Sequence, residues 1–232
     1  FPRDEVTTQA FVDQAINATF CGNIMLDNLQ PSPNSLHLPS SHHYIGIVPG
    51  SRETSYQNIT LILKQLELWN QNPGVPTHYI LAKAPQLKQA HITQILTELG
   101  WRPNESHSEF YQNKTTLYIT THFPDALMAS DLIIGLAGTA NEQAIYYGHK
   151  VICFEGHGPQ STLLRFQEQQ KLLGQDLILC NPITPQHLYE TVKTHLKKQA
   201  VTPIKKCQHA KDTIHTIKEA LNHLSQKTKK MV

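Results

Sequence analysis

The sequence has 232 residues, of which 39% are hydrophobic and 16% are charged. This length and composition suffice for one large globular domain with an appendage, and they exclude disorder over most of the chain. The formal net charge of +2 excludes the strong positive field typical of nucleic-acid-binding proteins, so we expect no nucleic-acid partner.

The N-terminal part of the chain predicts a short helix followed by a linker. In residues 1–20, Ala10, Phe11, Ala15 and Ile16 lie on one side at helical spacing, so this helix needs a packing partner. Three prolines and four serines between residues 30 and 41 are typical of a linker. We therefore predict a main domain boundary at residue 42, a domain over 43–205, and a C-terminal helix with a basic tail over 206–232.

Strands and helices alternate from residue 43 onward. Short apolar runs predict strands at 44–48, 78–82, 115–120, 132–134, 151–154 and 176–180. Helical spacing of apolar residues predicts helices at 54–68, 86–99, 123–129, from 139, and at 161–173, 184–198 and 206–225. This alternation is typical of α/β proteins. The predicted fold class is α/β, a Rossmann-like parallel sheet with helices on both faces.

The cysteines bear on the metal content and the compartment. Cys21, Cys153, Cys180 and Cys207 are far apart and have no histidine at metal-ligand spacing, so we expect no metal site. Cys153 falls inside an apolar strand, where a thiol behaves as a small hydrophobic side chain. We interpret this as a protein of a reducing, cytoplasmic compartment. No apolar run approaches the roughly 18 residues of a membrane-spanning helix.

Three glycine-containing loops follow predicted strands. Such a loop, followed by a helix, binds anions because unpaired backbone N–H groups and the helix dipole point at the same place. In the first loop, Gly50 allows close backbone approach, Ser51 offers a hydroxyl group, and Arg52 offers two parallel donors for phosphate oxygens. The alternative is an ordinary strand–helix turn with a solvated arginine.

The other two loops carry further candidates. Gly138 and Thr139 open a helix, although glycine there also suits tight packing. Glu142 can accept the hydroxyls of a ribose, or it can simply interact with the helix dipole. Gln160 follows Gly158 and can bind sugar hydroxyls or phosphate. Asn141, Gln143 and Gln170 are ordinary polar helix residues unless a ligand binds beside them. His157 in the third loop can act as a base, and the alternative is a solvated loop histidine.

Taken together, these motifs resemble the C-terminal half of GT-B glycosyltransferases. The matching segments are PGSR at 49–52, GTANEQ at 138–143, Gly148, GPQ at 158–160 and QKLLG at 170–174. They are most similar to the cyanobacterial lipid-A-disaccharide synthase-related proteins and less so to the peptidoglycan N-acetylglucosaminyltransferase. The opening FPRD and the run at 22–27 look like that family's passage between its two domains. The sequence departs from the family at 148–151, where it has GHKV and lacks the family's common proline.

The resemblance implies an inverting, metal-independent enzyme that transfers a sugar from a UDP-linked donor without a cofactor. It places Ser51 and Arg52 at the diphosphate and Glu142 at the ribose, with Pro159, Gln160 and Gln170 at the donor sugar. It also implies that residues 1–42 end a preceding domain that holds the acceptor site and the catalytic base, which we cannot name. We therefore expect this chain alone to bind the donor without turnover.

Two alternatives stay open. A UDP-sugar 2-epimerase shares this fold, but it needs acidic and histidine residues that the sequence does not place. A non-catalytic module would bind a nucleotide sugar or a partner only. The lysine-rich C-terminus suits an anionic membrane surface or a lipid-linked acceptor, and it is also typical of a solvated helix face.

Overall fold

The computed structural model describes residues 1–2, 5–26, 29, 36, 38–197, 213 and 215–221. The chain divides into two compact units. One comprises Phe1–Gln30 together with Pro203–Val232, and the other comprises Pro31–Thr202. The second unit contains the sheet and all residues predicted for the binding site.

The larger unit alternates strands and helices. Its strands are β1 (His43–Val48), β2 (Thr77–Ala82), β3 (Arg102–Pro103), β4 (Glu109–Gln112), β5 (Thr115–Thr120), β6 (Leu132–Gly135), β7 (Val151–Cys153) and β8 (Leu177–Leu179). Its helices are α2 (Ser55–Gln65), α3 (Glu67–Gln71), α4 (Gln89–Glu98), α5 (Phe123–Ala129), α6 (Thr139–Tyr146), α7 (Leu163–Leu173) and α8 (Pro185–His195), with a 3-10 turn at Gly174–Asp176. The smaller unit contributes α1 (Glu5–Asp13) and a 3-10 turn at Ile24–Leu26.

The strands form one sheet in the order β3-β4-β5-β2-β1-β6-β7-β8. Six neighbouring strands, β5-β2-β1-β6-β7-β8, pair in parallel. The strands β3 and β4 add an antiparallel edge next to β5. The central strands are buried along almost their whole length, as expected where helices cover both faces. The structure therefore confirms the predicted α/β fold class.

Most predicted elements lie where the sequence placed them, with two differences. The helix predicted over 54–68 is divided at Leu66 into α2 and α3. The sheet is also not wholly parallel, because β4 and β5 form an antiparallel hairpin through Asn113, which has φ +54°. A short antiparallel strand at a sheet edge lacks the continuous apolar run that marks a buried parallel strand.

Asp131 joins the amino ends of the central strands. Its Oδ2 accepts a hydrogen bond from Tyr44 N at 3.0 Å, and its own N–H donates to Tyr44 O at 2.7 Å. The ring Nδ1 of His43 lies 3.4 Å from the same carboxylate. His149, just before β7, is fully buried, and neither ring nitrogen has a partner with hydrogen-bond geometry. His149 lies within the segment 148–151, where the sequence departs from the pattern of the family that it resembles.

The smaller unit differs in part from the sequence prediction. α1 ends at Asp13, and Ala15 has φ +58°, so the helix does not extend through the predicted apolar positions 15 and 16. None of its residues is buried, and Phe11 and Ile16 are exposed. Of the helix predicted at 206–225, residues 213 and 215–221 are helical, and the remainder lies outside the described residues. The domain boundaries at 42 and 205 stay predictions.

Three cysteines are buried thiols, namely Cys21, Cys153 and Cys180; Cys207 lies outside the described residues. Burial raises the pKa of Cys153 to about 12, with a smaller contribution from Cys180. In the part of the chain that the structure describes, no helix is both long and apolar enough to cross a bilayer.

Candidate functional site

A cavity of about 450 Å³ opens at the carboxyl edge of the parallel strands. It is lined by the loops that follow β1, β2, β5, β6 and β7. Open α/β sheets bind ligands at this edge, where neighbouring connections leave the sheet on opposite sides. Here β1 lies between β2 and β6, so the connections beside it diverge.

Nine of the twelve residues predicted from the sequence line this cavity. They are Gly50, Ser51, Arg52, Gly138, Thr139, Gln143, Gly158, Pro159 and Gln160. The other three, Asn141, Glu142 and Gln170, are not part of its lining. The three glycine loops, which are separate in the sequence, therefore meet around one space.

The first loop carries Ser51 and the exposed Arg52 into the cavity lining. The Ser51 carbonyl accepts a hydrogen bond from Gln86 Nε2 at 2.6 Å, which connects this loop to the one after β2. The guanidinium group of Arg52 is therefore carried by a tethered backbone, and its side chain remains accessible to a ligand.

The second loop places the N-terminus of α6 at the cavity. Thr139 and Ala140 line it, and the first turn of a helix leaves N–H groups without intrahelical partners. Behind them, Gln169 Nε2 donates to Gly138 O at 2.9 Å, and the buried Asn141 Nδ2 donates to Gly135 O at 3.1 Å. The side chain of Asn141 thus stabilises the second loop through a buried hydrogen bond to its backbone.

The third loop closes over the N-terminus of α2. Gly158 has φ +98°, and a Cβ there would lie 2.7 Å from Thr54 Oγ1, so only glycine fits without a shift. Ser161 Oγ donates to Leu136 O at 2.8 Å, and Asn58 bonds to both the backbone N–H and the carbonyl of His157. These contacts hold the backbone of the third loop against the other two.

Two further predicted residues, Gln170 and Glu142, lie outside the cavity lining. Gln170 Nε2 donates to Leu177 O at 2.8 Å, which directs the amide to the start of β8. Glu142 is 9% exposed in the first turn of α6 and lies outside the cavity lining. Their predicted contacts with sugar and ribose stay predictions.

The charge of the cavity is positive. Arg52 and Lys83 line it, and no aspartate or glutamate appears in its lining within the described chain. Lys83 Nζ donates to Leu87 O at 2.8 Å and retains further N–H groups, because an ammonium has three. His157 also lines the cavity and is exposed. This arrangement suits an anion with more than one negative charge.

Sequence reasoning missed Lys83, Asn58, Thr121 and Phe123, which all belong to the lining. Lys83 follows β2 directly, as the first glycine loop follows β1, so a cation at a strand end was an available signal. Asn58 carries no such signal, because a polar residue within a helix is usually solvated. Among the described residues, no group of three or more His, Cys, Asp or Glu side chains is arranged to hold a metal ion.

The larger unit is thus a Rossmann-like α/β sheet with a cavity at its carboxyl edge, the edge at which such sheets bind ligands. No protein-family model and no curated protein matches the sequence.

Solved structures do match. A Listeria monocytogenes protein described as a UDP-N-acetylglucosamine 2-epimerase has a TM-score of 0.60 at 14% identity, over 94% of this chain and 58% of its own. The UDP-GlcNAc 2-epimerase of Methanocaldococcus jannaschii has a TM-score of 0.55 at 13% identity, over 96% and 61%. The glycotransferase of kitacinnamycin has a TM-score of 0.55 at 12% identity, over 90% and 49%.

The protein thus shares its fold with GT-B glycosyltransferases and UDP-GlcNAc 2-epimerases. It spans 58%, 49% and 61% of the lengths of these three structures.

Proposed function

We propose that this chain is the donor-binding domain of a GT-B glycosyltransferase that uses a nucleotide sugar, most simply a UDP-sugar. The observation that carries the proposal is the cavity at the carboxyl edge, where three glycine loops, Arg52 and Lys83 surround a space that no carboxylate of the described residues lines. A nucleoside diphosphate is the charged part of such a donor. The diphosphate requires hydrogen-bond donors and cations on more than one side.

In this proposal the diphosphate lies between Ser51, Arg52 and the N-terminus of α6. Lys83 approaches from the loop after β2. The donor sugar lies beside Pro159 and Gln160. Glu142 is assigned to the ribose by the family resemblance, and it requires a local rearrangement to reach the cavity.

The chemical role of these groups is to stabilise the departing UDP. Negative charge builds on the diphosphate as the glycosidic bond breaks, and preorganised N–H groups and cations lower the energy of that state more than that of the ground state. Because Arg52, Lys83 and the helix N-terminus supply positive charge, we propose that the reaction needs neither a metal ion nor a cofactor. The family resemblance implies that the reaction inverts the configuration of the sugar.

The finer assignment rests on the sequence motifs. We propose hexosyl transfer of the lipid-A-disaccharide synthase type, with an acceptor site and catalytic base in a domain outside this sequence. Residues 1–42 would then end that domain, residues 43–205 would bind the donor, and residues 206–232 would form the C-terminal helix and tail. The lysines of the C-terminal region suit a lipid-linked acceptor at the cytoplasmic face of a membrane.

A thermal-shift series tests the donor assignment. A ligand that binds only the folded state stabilises it by RT ln(1 + [L]/Kd), about 2.7 kcal/mol at a hundredfold excess over Kd. We expect UDP and UDP-N-acetylglucosamine to raise the Tm, and GDP and NAD to leave it unchanged. Equal shifts with all four ligands would contradict a uridine donor, and no shift would favour the non-catalytic partner-binding module.

Titration calorimetry on one variant pair localises the binding. Arg52→Ala removes charge-assisted hydrogen bonds worth about 1.5–3 kcal/mol, so we expect UDP to bind roughly 10- to 100-fold more weakly. Arg102→Ala is the matched control, because Arg102 is exposed on the edge strand β3, outside the cavity. Unchanged UDP affinity in Arg52→Ala would refute the assignment.

A second candidate is a UDP-sugar 2-epimerase, which two of the matched structures favour. The lining of the described cavity offers His157 but no carboxylate for proton transfer. Incubation of the full-length protein with UDP-N-acetylglucosamine in D₂O distinguishes the two candidates. Deuterium at C2 of the sugar would establish the epimerase, and its absence together with transfer to an acceptor would establish the transferase.

A further inference from the structure

Asn58 connects two of the cavity loops through its side chain. Its Nδ2 donates to Pro49 O at 3.0 Å and to His157 O at 3.2 Å, and its Oδ1 accepts from His157 N at 2.7 Å. Asn58 lies on α2, is 1% exposed and contributes to the cavity lining. One buried amide therefore bonds to the backbone of residues that are 108 positions apart in the sequence, between the first loop and the third.

The chemistry of these contacts requires an amide at this position. Both Nδ2 hydrogens are used and the oxygen accepts one bond, which matches the two donors and one acceptor of asparagine. Aspartate lacks the donors, and leucine has a similar volume without any polar atom. A buried backbone group that loses its partner carries a desolvation penalty, so neither substitution preserves the arrangement.

The third loop depends on few side-chain bonds besides these. Ser161 Oγ donates to Leu136 O at the far end of the loop, and the internal bonds Gly156 N to Ser161 O and Ser161 N to Gly158 O shape the turn. Asn58 provides the side-chain hydrogen bonds at His157, directly before the cavity-lining residues 158–160.

We propose that Asn58 is a positioning residue of the binding site. It fixes the third loop against the first before a ligand arrives, so residues 158–160 contact the sugar side of the ligand without an ordering cost. Preorganised loops gain affinity in this way, because the conformational entropy is already lost in the unbound protein. The ligand part of this inference rests on the proposed function, whereas the loop part stands on the hydrogen bonds alone.

Amide exchange measured by ¹⁵N NMR on the unliganded protein tests the loop part. In Asn58→Leu we expect the His157 amide to exchange at least tenfold faster than in the wild type. The matched control is Asn70→Leu, which removes another buried asparagine whose Nδ2 bonds to Gln112, outside the cavity lining. An unchanged His157 exchange rate, or an equal rise in both variants, would overturn the proposal.

A second variant keeps the test decisive if Asn58→Leu folds poorly. Asn58→Asp retains an oxygen for the His157 N–H but removes both donor bonds. We expect it to protect the His157 amide better than leucine does, while its affinity for a ligand that contacts the third loop still falls. Wild-type affinity of Asn58→Asp for that ligand would show that the two bonds donated by Nδ2 do not position the third loop, against the proposal.

Titration calorimetry then tests the ligand part. If the third loop contacts the sugar, Asn58→Leu weakens UDP-N-acetylglucosamine about tenfold more than UDP, whereas simple destabilisation of the fold does not separate the two ligands. Equal losses would overturn the assignment of this loop to the sugar side. Absence of binding by the wild type would refute the proposed function, and the exchange measurement would still decide the role of Asn58.

Discussion

The buried His149 makes the stability of the larger unit depend on pH. Its side chain is fully buried just before β7, and burial lowers its pKa to about 4, against the opposing effects of the Asp131 carboxylate and the Leu127 backbone. An unfolded histidine has a pKa of about 6.5. Between these two values the unfolded state binds a proton that the folded state does not bind, so the free energy of unfolding falls as the pH falls from 6.5 towards 4.

The size of this effect follows from the two pKa values. At pH 4.5 the difference in proton binding costs about 2–3 kcal/mol of stability, and well above pH 6.5 it costs nothing. His149→Leu removes the titrating group and keeps a similar side-chain volume. It also removes two buried ring nitrogens that have no partner in hydrogen-bond geometry. We therefore expect the variant to be as stable as the wild type or about 1 kcal/mol more stable at pH 7.5.

Urea unfolding followed by circular dichroism between pH 7.5 and 4.5 measures the prediction. The stability difference between His149→Leu and the wild type should grow by about 2–3 kcal/mol across this range, because the variant lacks the buried imidazole that titrates in the wild type. His107→Asn is the control, since His107 is exposed and its φ of +54° is one that asparagine tolerates. A constant difference between His149→Leu and the wild type would refute the reasoning.

Three further predictions concern the site and the core. Lys83→Met keeps the side-chain length but removes the charge, and we expect about tenfold weaker UDP binding by calorimetry, with a loss that shrinks as salt is added. Gly135→Ala places a Cβ 2.0 Å from Asn141 Oδ1, so the Tm should fall by more than 5 °C, corresponding to over about 1 kcal/mol. Cys153, whose pKa is raised by burial, should resist iodoacetamide in the native protein and react in urea, as mapped by mass spectrometry; rapid native labelling would contradict its burial.

Much of the fold could be predicted because its information is local. A strand that is buried on both faces needs a continuous apolar run, as in the segment IIG of β6, and the helices between such strands show helical spacing. The edge hairpin of β4 and β5 was only partly predicted, since an edge strand can be short and polar. The break at Leu66 within the predicted second helix has no glycine or proline to mark it.

The site was predictable in part for the same reason. Glycines after strands indicated three loops, and nine of the twelve predicted residues line one cavity. Gln170 was assigned to the donor sugar by the family resemblance alone, and in the structure its amide donates a hydrogen bond to Leu177 O. The sequence cannot show toward which neighbour a polar helix residue points, because that depends on how the helix packs against the sheet.

The sequence by itself determined the α/β class, the order of most elements and the three glycine loops that follow strands. Only the tertiary structure decided that β2 lies beside β1 and β5 beside β2, which brings Lys83, Thr121 and Phe123 to the cavity, and that Asn58 reaches across to His157. The physical reason is the range of the interactions. Propensity and periodicity act over a few residues, whereas strand order and buried hydrogen bonds join groups that are far apart in the chain and acquire their energies only when the core has formed.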